Sequence, residues 1–382
     1  MEFKSLQDLI RYVDSAFALK FYSGAAVLRK GVLKVLASVI GGSLYMISLL
    51  CKRIWKNRFL TTCEVSALDG FGVEFELPHK APTYAKGYAE VTLASGSSSA
   101  TVPAGTYLID PLTRLEYRTL LSASIYSSNK QIRVVAAAAG GDYNADVGTV
   151  LEFRDAIPAG LESTCTVTGE FGLFGGYSTI VSIDGVDQVW GETAEEYRER
   201  LLYRERNAPQ GGAVSDYKIW AERFDFVSKA FPVPQQPNVN SVCVVLANFK
   251  TSQIVVDSSD VAKVSSYINA PARRPATADV RVFSATLAEF EITATVAPYN
   301  DEVFQSVNAA IDSLFRDYGP GSTALLFQQV EDYVRNNSIA GTFSINAVTK
   351  NGTAVTMFSL DLYPNSQIGE VAKISTEFQN GE

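Results

Sequence analysis

Apolar positions near the start of the chain follow the spacing of an α-helix. One stripe recurs every three or four residues, at Leu33, Leu36, Ile40, Leu44, Ile47 and Cys51. Small residues gather on another side of the same helix, at Ala37, Ser38, Gly41, Gly42 and Ser48. They leave room for a second helix to approach closely. An earlier amphipathic stretch, Leu6 to Phe21, is expected to join the same bundle.

The predicted helix has two interpretations. Its uncharged run, Val35 to Cys51, is 17 residues long, which is the lower edge of the length that spans a membrane. Cationic residues flank it on both sides and give no orientation signal. A helix that is apolar on most sides must be covered by neighbours, and a short domain can hardly supply them all. The pattern therefore favours a bundle with a partner chain, while a membrane span through residues 35–51 is the alternative.

Period-two alternation replaces the helical pattern further on. Short alternating segments separated by Gly-, Ser- and Pro-containing turns predict strands, among them Tyr88 to Leu93, Gln131 to Ala138, Val150 to Phe153 and Cys165 to Thr168. The glycines near residue 170 do not form a phosphate-binding fingerprint, because no Gly-Lys-Ser/Thr follows them. This part is therefore predicted to be a small β-rich domain.

A charged helix and a glycine turn come next. Thr193 and Glu196 have the spacing of a capping box, and Ala194, Tyr197 and Leu201 share one face of the helix they begin. Arg198 and Arg200 are spaced to pair with glutamates one turn earlier. The helix should end near Pro209, and Gly211-Gly212 permits a reversal into a second helix that carries Tyr217 and Trp220. The segment is predicted to be a packed helical hairpin.

Two charged groups in this region suggest chemistry. Glu195, Glu196 and Glu199 could form an acid/base or phosphate site, and Arg273-Arg274 before Pro275 could clamp a phosphate. Carboxylates catalyse only within a cleft that shifts their pKa values, and no such cleft is implied. Adjacent arginines after a helix are also favoured at its C-terminal end. The structural interpretation is favoured for both groups.

The remaining pattern predicts an open sheet covered by helices. A strand, a helix and a strand are expected at Ser241 to Ala247, Asp257 to Asn269 and Val280 to Ala285, and Leu287 to Val296 alternates strictly. The whole chain is thus expected to be an α+β multidomain protein, with an N-terminal helical bundle segment, a small β-rich domain and C-terminal α/β sandwich-like domains with open sheets. The expected boundaries are residues 1–60, 61–185, 186–280 with the helical hairpin, and 281–382.

The charge distribution and the counts of histidine and cysteine argue against several classes of function. The net charge is −8, and residues 1–60 carry ten Lys or Arg against three Asp or Glu, so they hold +7 and the rest −15. An acidic body argues against nucleic acid as the main ligand. The chain has a single histidine and four cysteines without a CxxC pair, so it has few of the residues that a catalytic triad or a metal site requires. No catalytic residue, cofactor or metal is expected.

Several of these segments together resemble the baseplate J family. In order and spacing they are similar to that family's core, and they comprise Val102 to Thr106, Ala139 to Asn144, Glu192 to Leu201, Gly211 to Ala221 and Arg273 to Pro275. Each segment alone is a weak signal, but the ordered set is fairly specific. The resemblance extends from about residue 25 to about residue 375.

The resemblance implies a structural role in the virion. Members of the family form wedges of the baseplate of contractile phage tails and related injection machines. It implies that two copies pair through their C-terminal regions and that the N-terminal helices bundle with a second wedge subunit. The wedges then form a ring around the central hub, next to sheath-proximal tail proteins, and relay the trigger for sheath contraction. Such a protein is assembled in the host cytoplasm.

Two other functions stay open on the sequence. One is a membrane-anchored protein that spans through residues 35–51. The other is a tail-associated glycan hydrolase that uses carboxylates, which requires two of them about 5–9.5 Å apart in a cleft. Acidic residues are plentiful, but no spacing singles out a pair.

Overall fold

The computed structural model describes residues 5–21, 31–236, 238–251, 254–275, 277–362 and 369–381. Ala276, which directly follows the Arg273 to Pro275 segment, lies outside the described residues. The chain divides into two compact units, Met1–Pro78 with Ala194–Glu205, and His79–Thr193 with Arg206–Glu382. The second unit is discontinuous because the chain leaves it at Thr193 and returns at Arg206.

The first unit is helical. Its helices are α1 (Leu6–Phe21), α2 (Val32–Asn57), α3 (Val65–Glu74) and most of α4 (Ala194–Arg206). At 26 residues, α2 continues past the predicted apolar run into the basic residues that follow it. Nothing in its interior breaks the helix, because it contains no proline and Gly41-Gly42 costs only about 2 kcal/mol.

A closed β-barrel begins the second unit. The strands of this region are β1 (Lys86–Leu93), β2 (Ser99–Val102), β3 (Tyr107–Ile109), β4 (Glu116–Thr119), β5 (Ala123–Tyr126), β6 (Gln131–Ala136), β7 (Val150–Phe153) and β8 (Leu161–Thr168), and six of them form the barrel. The barrel order is β1-β6-β4-β3-β7-β8, with β8 pairing back to β1, while β2 and β5 form a separate ribbon. Alternate residues such as Ala89 and Val91 fill the interior, as period-two sequence requires. A hairpin of β9 (Thr179–Ile183) and β10 (Val186–Trp190) follows.

The central part of this unit is a three-stranded sheet with two helices. It contains α5 (Val214–Glu222), β11 (Lys229–Pro234), β12 (Ser241–Ala247), α6 (Ser258–Ile268) and β13 (Asp279–Ser284), with the strands in the order β11-β12-β13. Because β12 and β13 are parallel, α6 is the crossover between them. Val244, Leu246, Val264 and Ile268 are completely buried between the sheet and the helices.

The C-terminal part has a second open sheet. Its elements are β14 (Thr286–Ala297), α7 (Asp301–Asp317), β15 (Leu325–Leu326), α8 (Phe327–Asn337), β16 (Thr342–Lys350), β17 (Thr353–Ala354), β18 (Met357–Phe358) and β19 (Glu370–Asn380). The sheet order is β17-β16-β14-β19. Phe290, Ile292, Ala294 and Val296 are buried in its core, as the alternation predicts. Mixed helix and strand content is therefore confirmed.

Some expectations differ from the structure. Of the two helices in the predicted hairpin, α4 belongs to the first unit and α5 to the second. The helix α8 begins at Phe327, directly after Leu325 and Leu326, which pair with β18. The sequence patterns indicated neither the barrel closure nor β19, since both depend on strands that are distant in the chain.

Candidate assembly site

The small-residue side of α2 packs on α1 within the same chain. A Cβ atom at Gly41 would lie 2.6 Å from Ile10 Cγ1 and 2.9 Å from Ile10 Cα, so only glycine allows this approach. Ala37, one turn earlier, is completely buried. Lys34 forms an ion pair with Asp14 beside this contact. Gly41 was predicted as a bundle residue, and the helix that covers it is α1.

The large apolar side of α2 stays uncovered within the described chain. Leu36, Ile40, Leu44 and Ile47 are between 37% and 56% exposed, and Leu33 is half-buried. Further exposed side chains extend this surface around the helix, and we define the apolar surface of α2 as Val35, Leu36, Val39, Ile40, Leu44, Met46, Ile47, Leu50 and Ile54. Contiguous exposed apolar patches mark interaction sites in soluble proteins. The surface therefore has the composition of an interface.

By length and composition, α2 is also able to cross a membrane. It has an 18-residue window with a mean hydropathy of 1.8, and only 11% of that window is buried. Lys52, Arg53 and Lys56 follow on the last turns and are exposed. Both a lipid phase and a partner helix can cover such a surface.

A cleft of about 610 Å³ lies where α2 meets the start of α3. It is lined by Leu50, Arg53, Ile54, Asn57, Arg58, Ser66 and Ala67. Arg53 Nε donates to Glu64 Oε2 at 2.7 Å, which ties the end of α2 to the residue that precedes α3. The cleft continues the apolar surface of α2 into a mixed apolar and basic region.

The motif helix α4 is anchored by its predicted residues. Tyr197 is completely buried, and its hydroxyl donates to the Leu77 carbonyl at 3.1 Å. Arg198 donates from Nη1 to the Leu60 carbonyl at 2.6 Å and from Nη2 to the Cys63 carbonyl at 2.9 Å. Arg198 also contacts Cys63 Sγ at 3.1 Å. These bonds attach α4 to the loop between α2 and α3.

Charged residues of α4 make further contacts within the first unit. Thr193 directly precedes the helix, and Glu196 is its third residue. Arg198 Nε pairs with Glu195 at 3.1 Å, and Arg200 Nη2 donates to the Pro78 carbonyl at 2.9 Å. Both arginines therefore hold main-chain oxygens of the same unit.

The residues just before α4 lie in the second unit. A Cβ atom at Gly191 would be 2.0 Å from the Ala81 carbonyl oxygen, so the two segments touch through their backbones. Glu192 is 1% exposed, and its Oε1 accepts the Lys80 N–H at 2.8 Å. A buried carboxylate that accepts a backbone N–H satisfies a donor that burial would otherwise leave without a partner.

The glycine turn meets the Arg-Arg-Pro segment. A Cβ atom at Gly212, whose φ is 123°, would lie 2.4 Å from Pro275 Cγ. Asp216 Oδ2 accepts the Gln210, Gly212 and Ala213 N–H groups at 3.0, 2.8 and 3.2 Å. The structure therefore brings Gly212 and Pro275 together, although they are far apart in the sequence. Gly211 also has a positive φ but faces open space.

Aromatic residues of α5 are part of the central core. Tyr217 is 1% exposed and packs edge-on against Trp220, with ring centroids 5.3 Å apart. Burial, with the nearby Asp216 carboxylate, raises the pKa of Tyr217. The Tyr217 side chain is therefore neutral and packs in the core.

The two adjacent arginines contact protein groups. The Arg273 guanidinium carbon lies 3.6 Å from the centre of the Tyr267 ring, and its Nη1 donates to the Tyr267 carbonyl at 3.4 Å. Arg274 Nη1 donates to Asn269 Oδ1 at 3.4 Å. Both partners belong to the last turn and C-cap of α6, where cations are favoured.

An ion-pair cluster joins the barrel to α6. Lys86 of β1 donates to Asp260 Oδ2 at 2.8 Å, and Arg133 of β6 donates to Asp257 Oδ1 at 2.5 Å. Asp257 is also the N-cap of α6 and accepts the Ser259 N–H at 2.9 Å. Burial alone would raise the pKa of Asp257, but hydrogen bonds from Ser259 and the charge of Arg133 hold it below its ordinary value. No sequence pattern indicated this cluster, since the partners lie 124 and 174 residues apart.

Two thiols are poorly suited to nucleophilic chemistry. Burial raises the pKa of Cys165 to about 12, and burial raises that of Cys243 to about 11. Only the thiolate is a good nucleophile, and it is scarce at neutral pH for both. Within the described ranges, no group of three or more His, Cys, Asp or Glu residues is placed to hold a metal ion.

Two family models match the chain in the second unit. Residues 89–176 match the model described as the Baseplate J-like protein barrel domain, which here is the closed barrel. Residues 209–284 match the Baseplate J-like central domain, which includes Gly212 and Pro275.

Several curated proteins are similar to this chain. The Mu-like prophage FluMu protein gp47 of Haemophilus influenzae is 26% identical over 276 residues, which cover 70% of this chain and 72% of that protein. The baseplate protein gp47 of Escherichia phage Mu is 26% identical over 242 residues, which cover 59% of this chain and 62% of that protein. The putative protein JayE of Escherichia coli is 25% identical over 207 residues, which cover 54% and 72%.

A solved structure is also similar over much of the chain. The cryo-EM structure of the anti-feeding prophage baseplate has a chain with 13% identity, covering 96% of this chain and 90% of that one, at a TM-score of 0.33. A likeness at that TM-score is too weak to establish a shared fold. The ordered motifs, the two domain models and the similar curated proteins agree with one another. This chain belongs to the baseplate J family.

Proposed function

We propose that this chain is a structural wedge subunit in the baseplate of a contractile phage tail or related injection system. Membership of the baseplate J family supports a baseplate location, and so does the similarity to a protein named as the phage Mu baseplate protein. In this role the chain is non-enzymatic, is assembled in the host cytoplasm and ends up in the tail of the virion. It forms part of a ring around the central hub and relays the trigger for sheath contraction.

One observation carries the proposal, the apolar surface of α2. Among the residues that the structure describes, α1 covers the small-residue side of α2, and the large side chains on its other sides remain exposed. Burial of a large apolar side chain stabilises by about 1.5–3 kcal/mol, so a helical partner that covers several of them binds strongly. The proposed partner is a second wedge subunit whose helices complete the bundle.

An edge strand supports pairing of two copies. β19 is 11 residues long and lies at the edge of the C-terminal sheet. A long edge strand invites pairing with another chain. We place the homodimer contact in this C-terminal region and the heterologous contact in the N-terminal helices.

A substitution on α2 tests the proposal. The double variant Leu44→Asp/Ile47→Asp places two charges on the apolar surface of α2 without touching the Gly41 contact. We expect the variant to lose association with the wedge partner and to support no tails visible by electron microscopy, in cells that express the remaining tail genes. The matched control is Leu112→Asp, a barrel residue that is 91% exposed. Normal tails from the double variant would contradict the proposal.

A membrane anchor is the second candidate, and the length and hydropathy of α2 favour it. Alkaline carbonate extraction of cells that express the full chain alone separates the two. A wedge subunit is released to the supernatant, whereas a spanning protein stays with the lipid. Retention that Leu44→Asp/Ile47→Asp abolishes would support the anchor instead of the wedge.

A further inference from the structure

The end of α2 carries cations and aromatic rings at the surface. Lys52, Lys56 and Arg58 are exposed, and no ion pair among the described residues involves any of the three. Trp55 and Phe59 are 47% and 46% exposed and lie edge-on to each other, with ring centroids 5.7 Å apart. We call these five residues the basic aromatic end of α2.

This end continues the side of α2 that α1 covers earlier in the helix. Lys34 forms an ion pair with Asp14 of α1, and Ala37 is completely buried. Lys52 and Trp55 follow Lys34 and Ala37 by 18 residues. Since that spacing is about five turns of an α-helix, both pairs lie on the same side of α2.

The described part of α1 is too short to cover this end. Asp14 contacts Lys34 and Ile10 contacts Gly41, so the two helices run in opposite directions. At 1.5 Å per residue, the start of α1 extends about 6 Å past Ile10, whereas the basic aromatic end begins about 16 Å past Gly41. The rings and cations therefore stay uncovered where α1 stops.

The position of this end after an apolar run favours a lipid surface as its partner. The uncharged run from Val35 to Cys51 stops directly before Lys52, and α2 has an 18-residue window with a mean hydropathy of 1.8. Tryptophan is enriched at the headgroup layer of bilayers, and lysine and arginine reach from there to the lipid phosphates. An apolar helix that ends in Trp55 and three cations has that arrangement.

The charge of the chain makes this end distinct. Residues 1–60 hold +7 and the rest −15, so the chain as a whole is −8. An anionic surface repels a protein with a negative net charge and attracts a local cationic patch. Binding of this chain to an anionic surface therefore requires its basic N-terminal part.

We propose that the basic aromatic end of α2 binds the surface of an anionic lipid bilayer. Trp55 and Phe59 lie among the headgroups, and Lys52, Lys56 and Arg58 pair with lipid phosphates. The binding is peripheral and does not require α2 to cross the bilayer. It is independent of the wedge assignment, because it uses the side of α2 that follows α1 and not the apolar surface of α2.

Co-flotation of the full chain with large unilamellar vesicles tests the proposal. The chain carries Leu44→Asp/Ile47→Asp, which opposes insertion of the apolar surface of α2. We expect binding to vesicles with about one-third phosphatidylglycerol and no binding to pure phosphatidylcholine, because each cation near an anionic surface strengthens binding about fivefold. Salt at about 1 M should release the chain, since it shortens the Debye length to about 3 Å.

Substitutions in the same background locate the contact. Lys52→Gln/Lys56→Gln should weaken binding to anionic vesicles about 30-fold, which is about fivefold for each lysine. Trp55→Ala should weaken it about fivefold through lost apolar burial. Trp55→Tyr should stay within about twofold of the background, because tyrosine is also suited to the interface.

The matched control removes two exposed cations from α1. Arg11→Gln/Lys20→Gln makes the same charge change within the first unit and should leave binding within about twofold, because both residues lie beyond a Debye length from the end of α2. Absence of binding, equal binding to neutral and anionic vesicles, or equal losses in the control and the lysine variant would each overturn the proposal. Release from the vesicles by poly-glutamate at equal charge would overturn it in favour of an acidic protein partner.

Discussion

The neighbouring glycines Gly41 and Gly42 of α2 have different surroundings. Gly41 lies against Ile10 of α1, at a distance that no side chain permits, whereas Gly42 has no atom within 4 Å of a built Cβ. Glycine in a helix interior costs about 1 kcal/mol relative to alanine, so each needs a reason to be present. For Gly41 the reason is the close approach of α1. For Gly42 the described chain offers none.

Alanine substitutions separate the two glycines. Gly41→Ala should destabilise the contact between α1 and α2 by about 1–3 kcal/mol, because the helices must move apart. Gly42→Ala should stabilise α2 by up to about 1 kcal/mol through helix propensity alone. Native-state hydrogen exchange of α1 and α2 amides measures both. Equal protection in the two variants would disprove the tight contact.

Cysteine reactivity reports on burial residue by residue. Cys51 is exposed on α2, whereas Cys63, Cys165 and Cys243 are buried. Iodoacetamide at pH 8 should therefore modify Cys51 alone in the native chain and all four thiols in denaturant, since burial removes access and raises the pKa of Cys165 and Cys243. Mass spectrometry of the alkylated protein counts the adducts. Rapid native modification of Cys165 would contradict the barrel packing.

At the scale of elements, the N-terminus of α6 fastens the barrel to the central sheet. Asp257 caps the helix and accepts a hydrogen bond from Arg133, and the side chains of this pair are only 13% and 17% exposed. Asp260, one turn later, accepts hydrogen bonds from Lys86. Removal of one partner from a buried pair leaves an uncompensated charge, so these residues are more important for stability than surface pairs.

The lowered pKa of Asp257 gives a pH dependence with a defined sign. The ordinary value is 3.8, so its charge stabilises the fold fully above that pH, and this stabilisation is lost as pH falls through the lower pKa of the folded state. Asp257→Asn should reduce the free energy of opening α6 by about 3 kcal/mol at pH 7. The difference between wild type and variant should shrink below pH 3.8.

Hydrogen exchange of α6 amides from pH 3 to pH 7 measures this difference. The matched control is Asp279→Asn, whose partner Arg281 is 3.1 Å away in a half-exposed pair. Its effect should stay below about 1 kcal/mol. A pH-independent gap between wild type and Asp257→Asn would contradict the role of the charge.

At the scale of the whole molecule, the two units are interleaved in sequence. The first unit takes α4 from the middle of the chain, after the barrel and its hairpin. Tyr197 and Leu201 of α4 are completely buried, and Tyr197 donates to the Leu77 carbonyl. The first unit is therefore incomplete without residues that follow the barrel.

A truncation tests this interleaving. A chain of residues 79–382 retains the barrel, the central sheet and the C-terminal sheet but removes the partners of Tyr197. We expect α4 to lose its hydrogen-exchange protection while β1, β6 and β12 keep theirs. Unchanged protection of α4 would show that it folds without the N-terminal helices.

Local patterns predicted much of the element content. The alternation of Phe290 to Val296, the spacing of α2 and the proline after α4 each reflect forces that act within one segment, namely burial of one face and backbone sterics. For α4 the boundary was predicted well, but its partners were not. Helix periodicity shows which face is buried and does not show what covers it.

Sequence patterns alone predicted many of the helices and strands, the apolar stripe of α2 and the ordered motifs of the family. The folded chain was needed to show that α1 covers Gly41, that Gly212 contacts Pro275, and that Asp257 and Asp260 form ion pairs with residues of the barrel. The physical reason is that these contacts join residues far apart in the chain, where short-range preferences carry no information about pairing.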